Sequence, residues 1–179
     1  FENYWEIPSS AATAAEGKWK EGPGFAFFEE MKKERGDLPI IAEDLGLITT
    51  DVNVLREKCG FLGMKVLQFA FSDDNNSSLP HNYKSSNTVV YTGTHDNNTT
   101  LGWFRELDEL ERKRLRVYLD KDVKEDAVCY ELLRLGWSSI ADIALAPLQD
   151  LLNLGGECRM NLPGTSGGKN WGWRCRNEQ

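Results

Sequence analysis

Four short apolar runs, three cut off by polar residues and one by a proline, limit what this chain can fold into. Leu38-Pro39-Ile40-Ile41-Ala42 stops at Glu43-Asp44, and Met64 to Phe71 stops at a polar loop over 72–86. Thr88-Val89-Val90-Tyr91 runs into Thr92-Gly93-Thr94-His95-Asp96-Asn97-Asn98, and Ser139 to Ala146 stops at Pro147. Apolar runs of this length, bounded by turn residues, read as buried strands. Helical patterns fill the spaces between them. The spacing of Phe25, Phe28 and Met31 predicts a helix over 25–35, with basic residues in its last turn and Gly36 as its stop. Thr49 or Thr50 caps a second helix, with Asp51 in its first turn, Val52, Leu55 and Cys59 as its buried stripe and Gly60 at its end. Leu107, Leu110, Leu115 and Tyr118 mark a third, and Val128, Leu132 and Leu135 a fourth that ends at Gly136. Pro147 opens a last one running to Leu152. Residues 1–24 read as turns, and 153–179 as a Gly-rich tail holding Trp171 and Trp173.

Strands that alternate with helices pair in parallel. The strand ends near 43, 71, 96 and 146 lie 25 to 50 residues apart, enough for a crossover helix each time. The pattern fits half of an eight-stranded β/α barrel or a small doubly wound sheet. A dinucleotide-binding sheet calls for G-x-G-x-x-G after a strand, and no such motif is present. Glu43 and His95-Asp96 each follow a strand directly, and barrels carry their chemistry at that end. With 179 residues and 40% apolar content, the chain is expected to form one domain with its own core. Its net charge of −7 argues against a nucleic-acid or anionic-membrane partner. No run approaches a membrane-spanning length. The four cysteines include no C-x-x-C pair, which argues for reduced thiols in a reducing compartment rather than for zinc or a disulfide framework. Cys59 and Cys129 read as small core or surface residues. Phe1 to Glu6 reads as mid-domain sequence and the end stops just past an aromatic-rich loop, so the chain is expected to be part of a larger enzyme.

The polar residues at strand ends suggest chemistry. Glu43 follows an apolar run, and burial there would favour the protonated carboxyl that a general acid needs. The plain alternative is a salt-bridged or helix-capping glutamate. Thr94-His95-Asp96-Asn97 packs hydrogen-bonding groups suited to sugar hydroxyls and to developing charge, or else forms an Asx turn that starts a helix. Trp171 and Trp173 either cover a core edge, the reading favoured here, or stack on sugar rings. His81 in Leu79-Pro80-His81-Asn82 reads as part of a structural turn. The surroundings of Asp37, Asp108 and Asp122 read as solvated faces. Two carboxylates at the strand ends of a barrel suit glycosidic chemistry, while leaving open an aldolase, a lyase, or a Mg²⁺ site at Glu43, Asp44 and Asp96 in which His95 is an odd neighbour.

Longer motifs narrow this. Ile40-Ile41-Ala42-Glu43-Asp44-Leu45-Gly46, Gly63-Met64-Lys65-Val66-Leu67-Gln68-Phe69-Ala70-Phe71, Leu79-Pro80-His81-Asn82-Tyr83 and Val90-Tyr91-Thr92-Gly93-Thr94-His95-Asp96-Asn97 resemble the 4-alpha-glucanotransferases, the amylomaltases or disproportionating enzymes. Tyr4-Trp5 and Gly22-Pro23-Gly24 before them, and Asn161-Leu162-Pro163-Gly164-Thr165 and Asn170-Trp171 after them, fit the same family. The resemblance implies an α/β fold, the second half of a (β/α)8 TIM barrel of the α-amylase type, with the first half and the extreme C-terminus outside the chain. It implies retaining transfer of α-1,4-glucan segments to acceptor glucans or glucose in starch, glycogen or maltodextrin metabolism. Glu43 matches the family's acid/base, Asp96 its transition-state-stabilising aspartate and His95 a ligand of substrate hydroxyls. Asp44, Asp73 and Asn161 match positions lining sugar subsites. The family's aspartate nucleophile sits in an Arg-x-Asp motif expected just before Phe1, so the chain alone is expected to be inactive. An α-glucan hydrolase on the same barrel and a non-catalytic glucan-binding relic are the alternatives. The implied partners are α-1,4-glucans and malto-oligosaccharides, with no metal, cofactor, nucleic acid or membrane. The default compartment is the cytoplasm, or a plastid in a plant or alga.

Overall fold

In a computed structural model, residues 1–46 and 48–176 are described. They form two compact units, one over Phe1–Met64 and one from Lys65 onward. The last three residues of the expected Gly-rich tail lie outside the described residues. No helix among the described residues is long and apolar enough to cross a membrane.

The first unit opens with a hairpin where the sequence predicted only turns. Strands β1 (Asn3–Glu6) and β2 (Lys18–Glu21) pair antiparallel, with Trp5 opposite Trp19. The two indoles meet edge to face with centroids 5.2 Å apart, a cross-strand aromatic pair of the kind that holds exposed ribbons together. Every residue of both strands is exposed, so no apolar alternation announced them. Helix α1 (Gly24–Arg35) ends at Gly36 as expected. Helix α2 (Thr50–Cys59) is also as expected: the Thr49 hydroxyl accepts from the Val52 N–H at 3.3 Å, and Gly60 closes the helix in the left-handed region at φ 73°. The run 38–42 does not form the buried strand predicted for it. Ile41 makes a single parallel bridge to Leu62 and is 42% exposed, because only one neighbouring segment of this unit pairs with it.

The strand predicted over 64–71 is shorter than its apolar run. β3 (Gly63–Val66) gives way to a 3₁₀ turn at Leu67–Phe69. A strand would send alternate side chains to opposite faces, whereas Leu67, Gln68, Ala70 and Phe71 are all buried. The turn is what directs them inward. β4 (Thr88–Tyr91) matches the sequence reading, and β5 (Ile143–Leu145) is a shortened form of the run 139–146. The sheet order is β3-β4-β5, with β4 and β5 parallel and Val90 level with Ala144.

Three helices occupy the stretch where the sequence suggested two. These are α3 (Thr100–Glu106), α4 (Glu109–Leu119) and α5 (Val128–Trp137). The break between α3 and α4 is a capping box: Asp108 accepts from the Glu111 N–H at 2.8 Å, and Glu111 accepts from the Asp108 N–H at 3.2 Å. Pro147 precedes the short helix α6 (Leu148–Leu151). Leu67, Phe71, Val90, Leu101, Leu115, Val128 and Leu132 lie in one apolar core. All four cysteines are free thiols, and burial, with a further push from the Asp150 charge, raises the Cys129 thiol to about 12. At neutral pH it is therefore a small apolar core residue.

Glu131 on α5 is buried, with Lys121 Nζ 2.8 Å from one carboxylate oxygen and Arg134 Nη2 2.9 Å from the other. The Lys121 hydrogen bond, reinforced by Arg134, holds this carboxyl below the ordinary glutamate value. A depressed native value stabilises the fold above the unfolded value of about 4.3, and the stabilisation is lost as pH falls through the native one. Glu131→Gln is expected to cost about 1–3 kcal/mol at neutral pH. The loss should vanish in acid, as urea unfolding at a series of pH values will show; an equal loss at pH 3 and pH 7 would contradict it.

Candidate active site

The first unit presents Glu43 on a tight turn. The Asp44 N–H donates to the Ala42 carbonyl at 3.0 Å, which leaves Glu43 at the apex of a three-residue turn. Glu43 is exposed, so the burial predicted for it is not found within this unit. Asp44 behaves differently. One of its carboxylate oxygens accepts from the Met64 N–H at 2.6 Å, and the other faces Arg56 Nε at 3.1 Å. Arg56 also donates from Nη1 to the Phe61 carbonyl at 3.0 Å. Asp44 thus spends both oxygens on fixing the turn that carries Glu43. Both acids border a cleft of about 750 Å³ with Trp19, Phe28, Ile41 and Leu55 among its walls. Aromatic and aliphatic walls with a few polar groups suit a sugar ring, whose faces are apolar and whose rim is polar.

Glycine at position 63 is a condition of this arrangement. A Cβ there would come within 2.6 Å of the Asp44 carboxylate and 3.1 Å of the Arg56 guanidinium carbon.

The second unit gathers most of the other residues singled out in the sequence. Thr94 and Asn97 close the turn after β4: Asn97 Oδ1 accepts from the Thr94 N–H at 2.9 Å and from the Thr94 hydroxyl at 2.8 Å. The turn chemistry of the plain reading is therefore present, but these two residues perform it. The two residues between them do something else. Asn161 Nδ2 donates to Asp96 Oδ1 at 2.7 Å, and His95 Nε2 lies 3.4 Å from that same oxygen. The Asn161 N–H donates to the His95 carbonyl at 3.1 Å. Trp171, at φ 60°, sets its indole 5.0 Å from the His95 ring and is 55% exposed. It does not cover a core edge, as the sequence had favoured. A bulky residue in the left-handed region is uncommon, and its N–H bond of 2.7 Å to the Met160 carbonyl helps to hold it there.

Arg159 was missed in the sequence. Its Nη2 donates to the Asp96 carbonyl at 2.7 Å and its Nε to the Asn161 carbonyl at 2.7 Å, so it ties the two segments of the cluster together. Nothing local flagged it, since an arginine in a polar tail is ordinary until the tail is folded back.

Asp73 sits apart from these partners. It accepts from Asn76 Nδ2 at 2.8 Å, the Asn75 N–H at 3.0 Å and the Ser72 hydroxyl at 3.3 Å, and the Asn76 bond is the main reason its carboxyl lies below its ordinary value. It borders a groove against α4 rather than the Asp96 cluster. His81 is in the 3₁₀ turn Pro80–Asn82, stacked on Tyr118 with Nδ1 3.1 Å from the phenol oxygen, in keeping with a structural role. Among the described residues, no three His, Cys, Asp or Glu side chains converge as a metal site requires.

Gly63→Ala is expected to destabilise the protein by about 1–3 kcal/mol, by forcing the Asp44 carboxylate off its partners. In an Asp44→Ala background the same substitution should cost much less, and urea unfolding of the four variants of the cycle measures the difference. Equal costs in both backgrounds would show that the carboxylate is not what the Cβ displaces.

Residues 1–178 match the family described as 4-alpha-glucanotransferase. The 4-alpha-glucanotransferase of Synechocystis is 52% identical over 181 residues, covering all of this chain and 35% of that protein. That of Thermus thermophilus is 49% identical over 97% of this chain and 36% of its own length. The chloroplast and amyloplast enzyme of Arabidopsis thaliana is 47% identical over 97% of this chain and 30% of its own. The chain thus spans about a third of the length of these relatives. The solved structure of amylomaltase from Streptococcus agalactiae in complex with acarbose superposes with a TM-score of 0.92 at 38% identity, covering 99% of this chain and 36% of that one. The α/β fold, with parallel strands linked through helices, is that of part of an amylomaltase and consistent with part of a TIM barrel. The chain belongs to the 4-alpha-glucanotransferase family.

Proposed function

We propose that this chain supplies the acid/base and a charge-stabilising carboxylate of an enzyme that transfers α-1,4-glucan segments between malto-oligosaccharides with retention. The carrying observation is the cluster around Asp96, in which Asn161 and His95 converge on one exposed carboxylate, Arg159 holds the Asp96 carbonyl, and an exposed indole lies beside His95. Retaining transfer needs two displacements at the anomeric carbon. Glu43 protonates the leaving glycosidic oxygen in the first and takes the proton of the incoming 4-hydroxyl in the second. Its exposure in this unit leaves it open to exchange protons with both.

Asp96 does not form a bond. Its carboxylate holds ring hydroxyls and stabilises the positive charge that develops at the anomeric carbon. Asn161 and His95 fix its orientation and offer further hydrogen-bonding groups to the sugar. In this reading the nucleophile is an aspartate of the whole enzyme, in the Arg-x-Asp motif that the family resemblance implies. The acarbose seen in the S. agalactiae amylomaltase is a sugar-like ligand of the chemistry this cluster accepts. Four free thiols suit a reducing compartment, the cytoplasm in the simplest case.

The test uses a full-length enzyme in which this chain replaces the matching third of the Synechocystis relative. It is expected to make longer glucans from maltotriose. Glu43→Gln should lower that rate by about 10²–10⁴-fold, and act far less on the first displacement of a substrate with a good leaving group such as an α-maltosyl fluoride. Asp96→Asn should slow both substrates alike. Equal losses for Glu43→Gln on the two substrates would remove its acid role. Release of reducing ends without longer products would make the enzyme a hydrolase.

A further inference from the structure

Asp150, at 1% exposure, is buried more deeply than the other carboxylates of the core and has no part in the chemistry above. Its Oδ2 accepts from the Thr92 hydroxyl at 2.5 Å and from the Thr100 hydroxyl at 2.8 Å, and its Oδ1 accepts from the Thr100 N–H at 2.8 Å. Thr92 is where the chain leaves β4, and Thr100 is where it enters α3. Both ends of the loop that carries His95 and Asp96 therefore fall on one carboxylate. A helix cap needs only the bond to the Thr100 N–H; the bond back to Thr92 ties the loop's two ends together.

Gln68 holds the same roots from another side. Its N–H donates to the Thr92 carbonyl at 3.2 Å, and its Nε2 donates to the Asn98 carbonyl at 2.9 Å. The residue preceding Asp150 reaches the other half of the cluster: Gln149 Nε2 donates to the Cys158 carbonyl at 3.1 Å, next to Arg159. Helix α6 thus presents two consecutive buried side chains, one to the segment bearing Asp96 and one to the segment bearing Arg159 and Asn161.

We infer that Asp150 is a positioning residue for Asp96 and His95, setting the loop between β4 and α3 in its working geometry before substrate arrives. The inference rests on the functional reading above. With both ends fixed, the loop has few conformations left, and the hydrogen bonds of Thr94 with Asn97 select among them. A carboxylate that acts on charge developing in the transition state must be held in place in advance, because small misplacements are costly there. Removing the tie is therefore expected to lower turnover more than ground-state binding.

The experiment compares Asp150→Ala, Asp150→Asn and Thr92→Val with the parent full-length chimera, at a temperature where circular dichroism shows each fully folded. Asp150→Ala should lower kcat for transfer by about 10- to 100-fold, with KM changing by less than about threefold. Asp150→Asn keeps an acceptor for the Thr100 N–H and a polar partner for both hydroxyls, so it should restore most of the loss. Thr92→Val, which removes one tie without changing shape, should fall between. Amide hydrogen exchange provides a readout independent of turnover: Asp150→Ala should speed exchange at Asp96 and Asn97 while leaving α4 unchanged. A folded Asp150→Ala with parental kcat, or with parental exchange at Asp96 and Asn97, overturns the inference. A parent chimera that exchanges normally and makes no longer glucans would instead overturn the functional reading, and the exchange comparison would still decide the role of Asp150.

Discussion

The segment between β4 and α3 carries His95 and Asp96 with order because its two ends meet on one buried carboxylate. Burying an ionised group is expensive unless its lone pairs are used, and Asp150 uses them on three donors from Thr92 and Thr100. The core forms around this network: Val90 leads into Thr92, Leu101 follows Thr100, and Cys129 on α5 is kept protonated partly by the same charge. Packing and polar satisfaction therefore reinforce each other here. An apolar residue in place of Asp150 would leave the Thr92 hydroxyl and the Thr100 N–H without this acceptor in a dry interior, and the Thr100 hydroxyl with only the 3.4 Å bond it accepts from Gln68.

Glu43 is held by another device. Asp44 and Arg56 form an ion pair, and their hydrogen bonds go to the Met64 N–H and the Phe61 carbonyl, so a short turn is braced against the segment that follows α2. In both units the residue expected to do chemistry is exposed, while a neighbouring acid is consumed by structure: Asp44 beside Glu43, and Asp150 behind Asp96. Acidic residues near a site thus divide by what their oxygens already hold. An oxygen that accepts from the backbone or is ion-paired with a guanidinium is committed, whereas the Asp96 carboxylate has one oxygen on Asn161 and the other open to a ligand.

Much of this was legible in the chain. Gly36 and Gly60 as helix ends, Thr49 as a cap, and β4 over Thr88–Tyr91 are local statements about backbone freedom and side-chain reach, and local rules suffice for them. His95, Asp96, Asn161 and Trp171 were also singled out, and the fold brings them together across more than sixty residues. The errors share a cause. The hairpin of β1 and β2 has no buried face to produce alternation, and the run 64–71 is apolar because a 3₁₀ turn buries Leu67 and Gln68 before the exposed Phe69, and Ala70 and Phe71 after it. Apolarity reports burial, and burial has more than one backbone geometry.

Motif and period in the chain are enough for the family, the alternation of strands and helices, and the residue types available for glycosidic chemistry. Which acids are spent and which remain depends on folding. Asp44 and Asp96 look equivalent in sequence, each next to a candidate site residue at a strand end. They differ because an arginine from α2 and an N–H from β3 reach the first, and an asparagine from a distant segment reaches the second. The role of a carboxylate follows from the donors that reach it, and those come from segments that only folding brings near.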